Sequence, residues 1–195
     1  VSNGNISDFS PVVSDTFGHI DISGSFIEAS TIYTATFTPQ GNGACSVDVP
    51  IDTFSAIEGI VNSNPATLSW FHDIIAPVIT ISSHEIANGD GSIYSNEPII
   101  SLVFTLSEAA TDFTWEDIDV TNGILGTLTP SVIGSDNGKV YAASFSPITT
   151  NTLCTINVSS NKFTDAGGNH NTVAPLFSWT YDTTTPSMTI TALEL

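Results

Sequence analysis

The sequence repeats itself. Tyr33-Thr-Ala-Thr-Phe37-Thr-Pro39 returns as Tyr141-Ala-Ala-Ser-Phe145-Ser-Pro147, and Cys45-Ser-Val-Asp-Val49 returns as Cys154-Thr-Ile-Asn-Val158. Leu68-Ser-Trp70-Phe-His-Asp73 with Pro77 matches Phe177-Ser-Trp179-Thr-Tyr-Asp182 with Pro186, so Trp70 and Trp179 stand 109 residues apart. Val1-Ser-Asn-Gly4 matches Val120-Thr-Asn-Gly123 at an offset of 119, which puts extra residues among the early strands of the first copy. A period this long means successive copies of one structural unit, each built around its own core. The phase divides the chain into 1–76, a partial repeat lacking its first strands, 77–185, a complete repeat, and 186–195, the first strand of a following repeat. The alternative is a first domain completed by a strand from a neighbour.

Within the unit the apolar residues recur every second position, with no sustained helical stripe. Ile100, Leu102, Phe104 and Leu106 alternate with Ser101, Val103 and Thr105, and Tyr141, Ala143 and Phe145 with Ala142 and Ser144. Cys154, Ile156 and Val158 alternate with Thr155 and Asn157, and Phe177, Trp179 and Tyr181 with Ser178 and Thr180. Asn88-Gly-Asp-Gly91, Ser135-Asp-Asn-Gly138 and Asp165-Ala-Gly-Gly-Asn169 supply turns between these runs. About seven strands in about 100 residues predict an all-β antiparallel sandwich with Greek-key connections.

Charge removes several function classes. Twenty carboxylates stand against two basic residues, Lys139 and Lys162, for a formal net charge of −18. Phosphate backbones need several Lys or Arg, so nucleic acid is excluded as a partner, and anionic leaflets are excluded by the same sign. The longest apolar stretch, around Ile74–Ile81, is far too short to span a bilayer, so no membrane insertion is expected. Val1–Ser10 does not read as a signal peptide. With 41% hydrophobic residues the chain has enough apolar material to collapse, unlike a disordered acidic tail.

The Leu/Phe-Ser-Trp-x-x-Asp-x-x-x-Pro passage, with Leu106-Ser-Glu108, Asp112-Phe-Thr, Asp117-Ile, Val120-Thr-Asn-Gly123 and Phe163-Thr-Asp165-Ala-Gly-Gly-Asn169, resembles tandem bacterial Ig-like repeats of large extracellular adhesins and surface fibres. The resemblance covers Pro77–Thr185 and the partial copy before it. It implies tandem immunoglobulin-like β-sandwich domains, a cell-surface or extracellular location, a spacer or adhesive role, and calcium at domain junctions. The first copy departs from the motif, with Phe54-Ser-Ala-Ile-Glu58 in place of Phe163-Thr-Asp-Ala-Gly167.

In such a sandwich alternate loops gather at opposite poles. Asp73 in the incoming linker, Glu108, Asp112, Glu116 and Asp117 in one loop and Asp165 in another then share the N-terminal pole. Converging carboxylates repel, and a hard cation with an all-oxygen shell relieves them, which points to calcium. The alternative is a solvated acidic cluster. Asp182 repeats Asp73 and is expected to serve the next junction. Glu85, Asp90, Glu97 and Asp182 form a second acidic group at the other pole, where Asn88–Glu97 partly matches a calcium-loop pattern but lacks an acidic first position.

Cys45 and Cys154 hold equivalent places in successive repeats, too far apart to bridge, and their alternation turns them toward the core. A buried thiol is the expectation and an interchain disulfide the alternative. Trp70 and Trp179 fall in register with core positions. Hydrolase elbows, zinc-protease helices, phosphate loops and Cys-x-x-Cys pairs are absent, and the four histidines are scattered, so no enzyme is expected. Asn5-Ile-Ser7 and Asn157-Val-Ser159 fit the glycosylation sequon. The expected function is a structural extracellular spacer, with a carbohydrate- or protein-binding adhesive module as the alternative. The expected partners are neighbouring repeats or copies of the same chain, and a glycan or protein receptor in the alternative.

Overall fold

The computed structural model of the protein describes residues 18–21 (backbone), 36–53, 59–86, 94–131 and 138–192. The chain divides into two compact units, Val1–Ile75 and Ala76–Leu195. Strands and one three-residue 3₁₀ turn make up the regular structure among the described residues. The turn Asn88–Gly91, the segment Phe54–Glu58, Asp90, Asn5 and most of Ser135–Gly138 lie outside them.

In the first unit β1 (Gly18–Asp21) pairs antiparallel with β2 (Thr36–Pro39), and β3 (Gly43–Val49) with β4 (Ala66–His72). The second unit begins with β5 (Ile79–Ser83), β6 (Tyr94–Ser95) and β7 (Ile100–Leu106). A 3₁₀ turn at Trp115–Asp117 leads into β8 (Asp119–Thr121), β9 (Gly123–Leu125) and β10 (Thr129–Pro130). The long strands β11 (Val140–Pro147), β12 (Thr152–Asn157) and β13 (Phe177–Tyr181) complete it. One sheet has the order β10-β11-β7-β5, with β9 also pairing with β11, and the other the order β6-β13-β12-β8. All pairings are antiparallel except β6 with β13.

Period-2 alternation becomes a two-layer core. Ile79, Ile100, Leu102, Phe104, Leu106, Tyr141, Ala143 and Phe145 come from one sheet, and Cys154, Ile156 and Trp179 from the other. Phe113, Ile118 and Phe163, from the segments between strands, join the same core. Trp179 meets Phe145 edge-on, with centroids 5.0 Å apart and planes at 75°. Such a contact adds about 1 kcal/mol to the area each ring buries. Trp179 is fully buried, and its indole N–H finds no acceptor among the described residues. Its packing therefore has to outweigh the roughly 1–3 kcal/mol that an unmade buried hydrogen bond costs.

The two units share local geometry at several equivalent positions. Cys45 lies opposite Trp70 in the β3–β4 ladder, and Cys154 opposite Trp179 in β12–β13. Phe37 and Trp70 make the same edge contact, at 4.8 Å and 81°. Both cysteines are buried. Asp52 and Asn161 are both left-handed, with φ of 60° and 61°. Their amides donate to the carbonyls of Asn62 and Asn171, each at 3.1 Å. Trp70 is half-buried where Trp179 is fully buried.

Residues 183–192 form no strand, although 187–195 alternates like β5, and 193–195 lie outside the described residues. A strand exists only with a ladder partner. Met188 and Ile190, which repeat the places of Ile79 and Ile81, remain exposed.

Candidate metal centre

The pole of the second unit is organised by hydrogen bonds between its loops. Ser107 and Val78 clamp the start of β5 to the end of β7: the Ser107 amide donates to the Val78 carbonyl at 2.8 Å, and the Val78 amide to Ser107 Oγ at 2.9 Å. Beyond it the Thr111 amide donates to the Thr164 carbonyl, and Ala110 pairs with Asp165 as an isolated bridge. These bonds carry Glu108 alongside the turn that holds Asp165. A carboxylate oxygen of Glu108 and one of Asp165 lie within 4.8 Å of each other.

Asp165 is nearly buried and fixed by its own turn. The Asn169 amide donates to Oδ1 at 2.9 Å, and Asn169 Nδ2 donates to Oδ2 at 3.1 Å. The Gly168 amide donates to the Asp165 carbonyl, and Gly168 has a φ of 86°, which a side chain would strain. Burial pushes the carboxyl pKa up, but hydrogen bonds from Asn169 and from the Gly167 and Gly168 backbone outweigh it and hold the pKa below the ordinary value. Asp165 is therefore ionised beside Glu108. Two oxygens bound to one calcium at 2.3–2.6 Å lie at most about 5 Å apart, so the donor chemistry and the spacing suit a hard cation. Hydrogen-bonded carboxylate oxygens keep lone pairs for ligation.

The structure turns Asp112 and Asp117 away from this pair. Asp112 Oδ1 accepts the Thr164 amide at 2.7 Å, and its two oxygens also take the Thr164 hydroxyl. Asp117 Oδ2 accepts the Thr114 amide at 2.8 Å, one half of the capping box of the 3₁₀ turn, and also the Thr114 hydroxyl at 3.2 Å. Neither lies within 4.8 Å of both Glu108 and Asp165. Both are short acidic side chains at loop corners, where nearby backbone amides are the closest available donors. Asp73, in the first unit, forms an Asx turn in which the Ile75 amide donates to Oδ1 at 3.0 Å. Asp182 makes the same turn with the Thr184 amide at 2.8 Å, and this bond lowers its pKa.

At the other pole Glu85 accepts the Ser83 hydroxyl at 2.7 Å, and that bond is the largest cause of a pKa lowered to about 2. Glu97 donates its amide to Ser95 Oγ. No histidine enters a metal-ligand group among the described residues.

Two features escaped the sequence reading. Trp115 projects into solvent at 63% exposure, although its place outside any alternating run, beside Glu116 and Asp117, was a visible signal. The Asn62 and Asn171 side chains act as clamps and recur at the same 109-residue offset as the tryptophans.

A model of the bacterial Ig-like domain family matches residues 73–181, more than half of the chain. Comparison with curated proteins gives no match.

Proposed function

The chain belongs to the bacterial Ig-like domain family, and from that premise we propose that it is a structural spacer of a surface fibre or adhesin, built of tandem Ig-like units and stiffened by calcium. Domains of this family are commonly carried by extracellular surface proteins and are typically not enzymes. No helix is long and apolar enough to cross a membrane among the described residues. The observation that carries the cation reading is the Glu108–Asp165 pair, two carboxylates within 4.8 Å, one of them nearly buried and held ionised. At an effective dielectric of 20 such a pair repels by about 3 kcal/mol, which a bound cation converts into attraction.

Asp73 is the proposed third ligand, because it stands five residues before Val78, whose backbone is bonded to the Glu108 loop. Asp182, with the same Asx turn, would serve the next junction, and Asp112 and Asp117 would support the loop around the ion. Tandem organisation is supported by the Cys–Trp register, the Phe–Trp contact and the left-handed corner that the two units share. Neighbouring repeats or other copies of the chain are the natural partners of such an array.

Calcium titration calorimetry on the full chain tests the reading. Binding is expected at roughly 10⁻⁴–10⁻³ M, the range of extracellular modules. Glu108→Gln should weaken it without unfolding the second unit. The absence of any calcium uptake at millimolar concentration would sink the proposal.

A further inference from the structure

Asn42-Gly43 and Asn122-Gly123 are asparagine–glycine pairs among the described residues, and their surroundings differ. Such a pair matters because glycine has no Cβ to keep its backbone nitrogen away from the preceding side chain. Asn122 is locked. Its Oδ1 accepts the Thr149 amide at 3.0 Å, and its Nδ2 donates to the Thr149 carbonyl at 2.9 Å and to Cys154 Sγ at 3.4 Å. Its backbone is left-handed, with φ of 54°, and the Phe145 ring fills the place of a Gly123 Cβ, so the peptide unit between them has no room to turn. Asn42 is held by one end only. It is half-buried in Gln40-Gly41-Asn42, the connection from β2 to β3, with glycine on both sides. Gly43 pairs with His72 at the very end of the β3–β4 ladder, where pairing opens most readily. Asn42 Oδ1 accepts the Ile74 amide at 3.0 Å, while Nδ2 makes no hydrogen bond among the described residues.

We infer that Asn42 is a self-modification site, converting to aspartate and isoaspartate with water as the only co-reactant. The Gly43 nitrogen gives up its proton to solvent and bonds to Asn42 Cγ. The Cγ–Nδ2 bond breaks, Nδ2 takes up a proton and leaves as ammonia, and a cyclic imide remains. Water then opens the imide at either carbonyl, to aspartate or, with the backbone lengthened by a methylene, to isoaspartate. A water is consumed and an ammonia released, with no change of oxidation state. The Ile74 amide points at the oxygen that gathers negative charge during the attack, which is where a fixed donor lowers a barrier. The product adds a carboxylate beside Ile74, the residue that follows Asp73. The inference stands whether or not a cation binds.

The test is storage of the full chain in mildly alkaline buffer, native and in urea, with each site followed by peptide mass spectrometry and isoaspartate by enzymatic methylation. In the native chain Asn42 is expected to convert at least about tenfold faster than Asn122, a barrier difference of about 1.4 kcal/mol. Urea removes both environments, and the two rates should then converge. The Asn42 rate should rise with pH, because the attacking nitrogen must lose its proton. Ile74→Pro deletes the donor from an exposed position and should slow Asn42 in the native chain, with the Trp70 fluorescence unchanged. Intact Asn42 in a native chain whose urea-unfolded form converts, equal native rates at the two sites, or an undiminished Asn42 rate in Ile74→Pro overturns the inference.

Discussion

Truncating Asn171 to alanine should be among the most damaging single changes in the second unit. Its side chain is almost fully buried and makes four hydrogen bonds to the backbone. Oδ1 accepts the amides of Lys162 at 2.7 Å and Phe163 at 3.0 Å, and Nδ2 donates to the carbonyls of Ser159 at 2.9 Å and Thr172 at 2.8 Å. Together they tie the chain leaving β12 to the chain approaching β13. Each buried group left unpaired costs about 1–3 kcal/mol. Lys162 and Thr172 are exposed and can be rehydrated, whereas Phe163 is buried and its amide cannot. The expected loss is therefore about 3 kcal/mol rather than four full penalties. For a unit of this size that lowers the melting temperature by roughly 9–15 °C. Asn62→Ala, at the half-buried counterpart, should cost less. Urea unfolding followed by the fluorescence of buried Trp179 measures the first, and a loss below about 1 kcal/mol would refute the claim that this side chain holds the loop.

Gly123→Ala places a methyl group inside the Phe145 ring, which is fully buried and has nowhere to move, so a loss of about 3 kcal/mol is expected in the urea midpoint. A tolerated alanine would mean that β9 can shift away from β11. For Glu85 the sign follows from a folded pKa of about 2 against an ordinary 4.5. Its ionised form stabilises the fold above about pH 4.5, and that contribution is lost as pH falls toward 2. The stability difference between wild type and Glu85→Gln should shrink over that window, and a difference independent of pH would count against the Ser83 contact.

What could be read from the residues is what local physics writes into them. Alternation located β7, β11, β12 and β13 because each strand has one face on a core, and burial enforces the period. It could not find β6, two residues long, because that strand is defined by its parallel partner β13, almost ninety residues away. It also missed β8–β10, which are too short to show a period. At the site, chain topology brought Glu108 and Asp165 to one pole. It could not tell that Asp112 and Asp117 would turn back onto Thr164 and Thr114, since amide donors within a loop become visible only once the loop has a shape. The Asn171 clamp was legible in principle, because Asn62 repeats it at the offset of the tryptophans. A lone asparagine in a loop carries no period to draw attention to it.

The direction of β6 has a mechanical consequence. β6 and β13 run parallel, Thr180 beside Tyr94 and Tyr181 beside Ser95, and the Asp182 amide extends the pairing by donating to the Ser95 carbonyl at 2.9 Å. Tension on the chain first loads the ladder of β5 on β7, and once that opens it pulls β6 toward the start of the unit and β13 toward its end, in opposite directions along their common axis. Parallel neighbours pulled this way slide rather than peel, so their few bonds resist together instead of opening one after another. The patch is a shear clamp only a few bonds long, placed where the force leaves the domain. Once it slips, traction passes to the Phe145–Trp179 core, which the clamp shields while the pull is gentle.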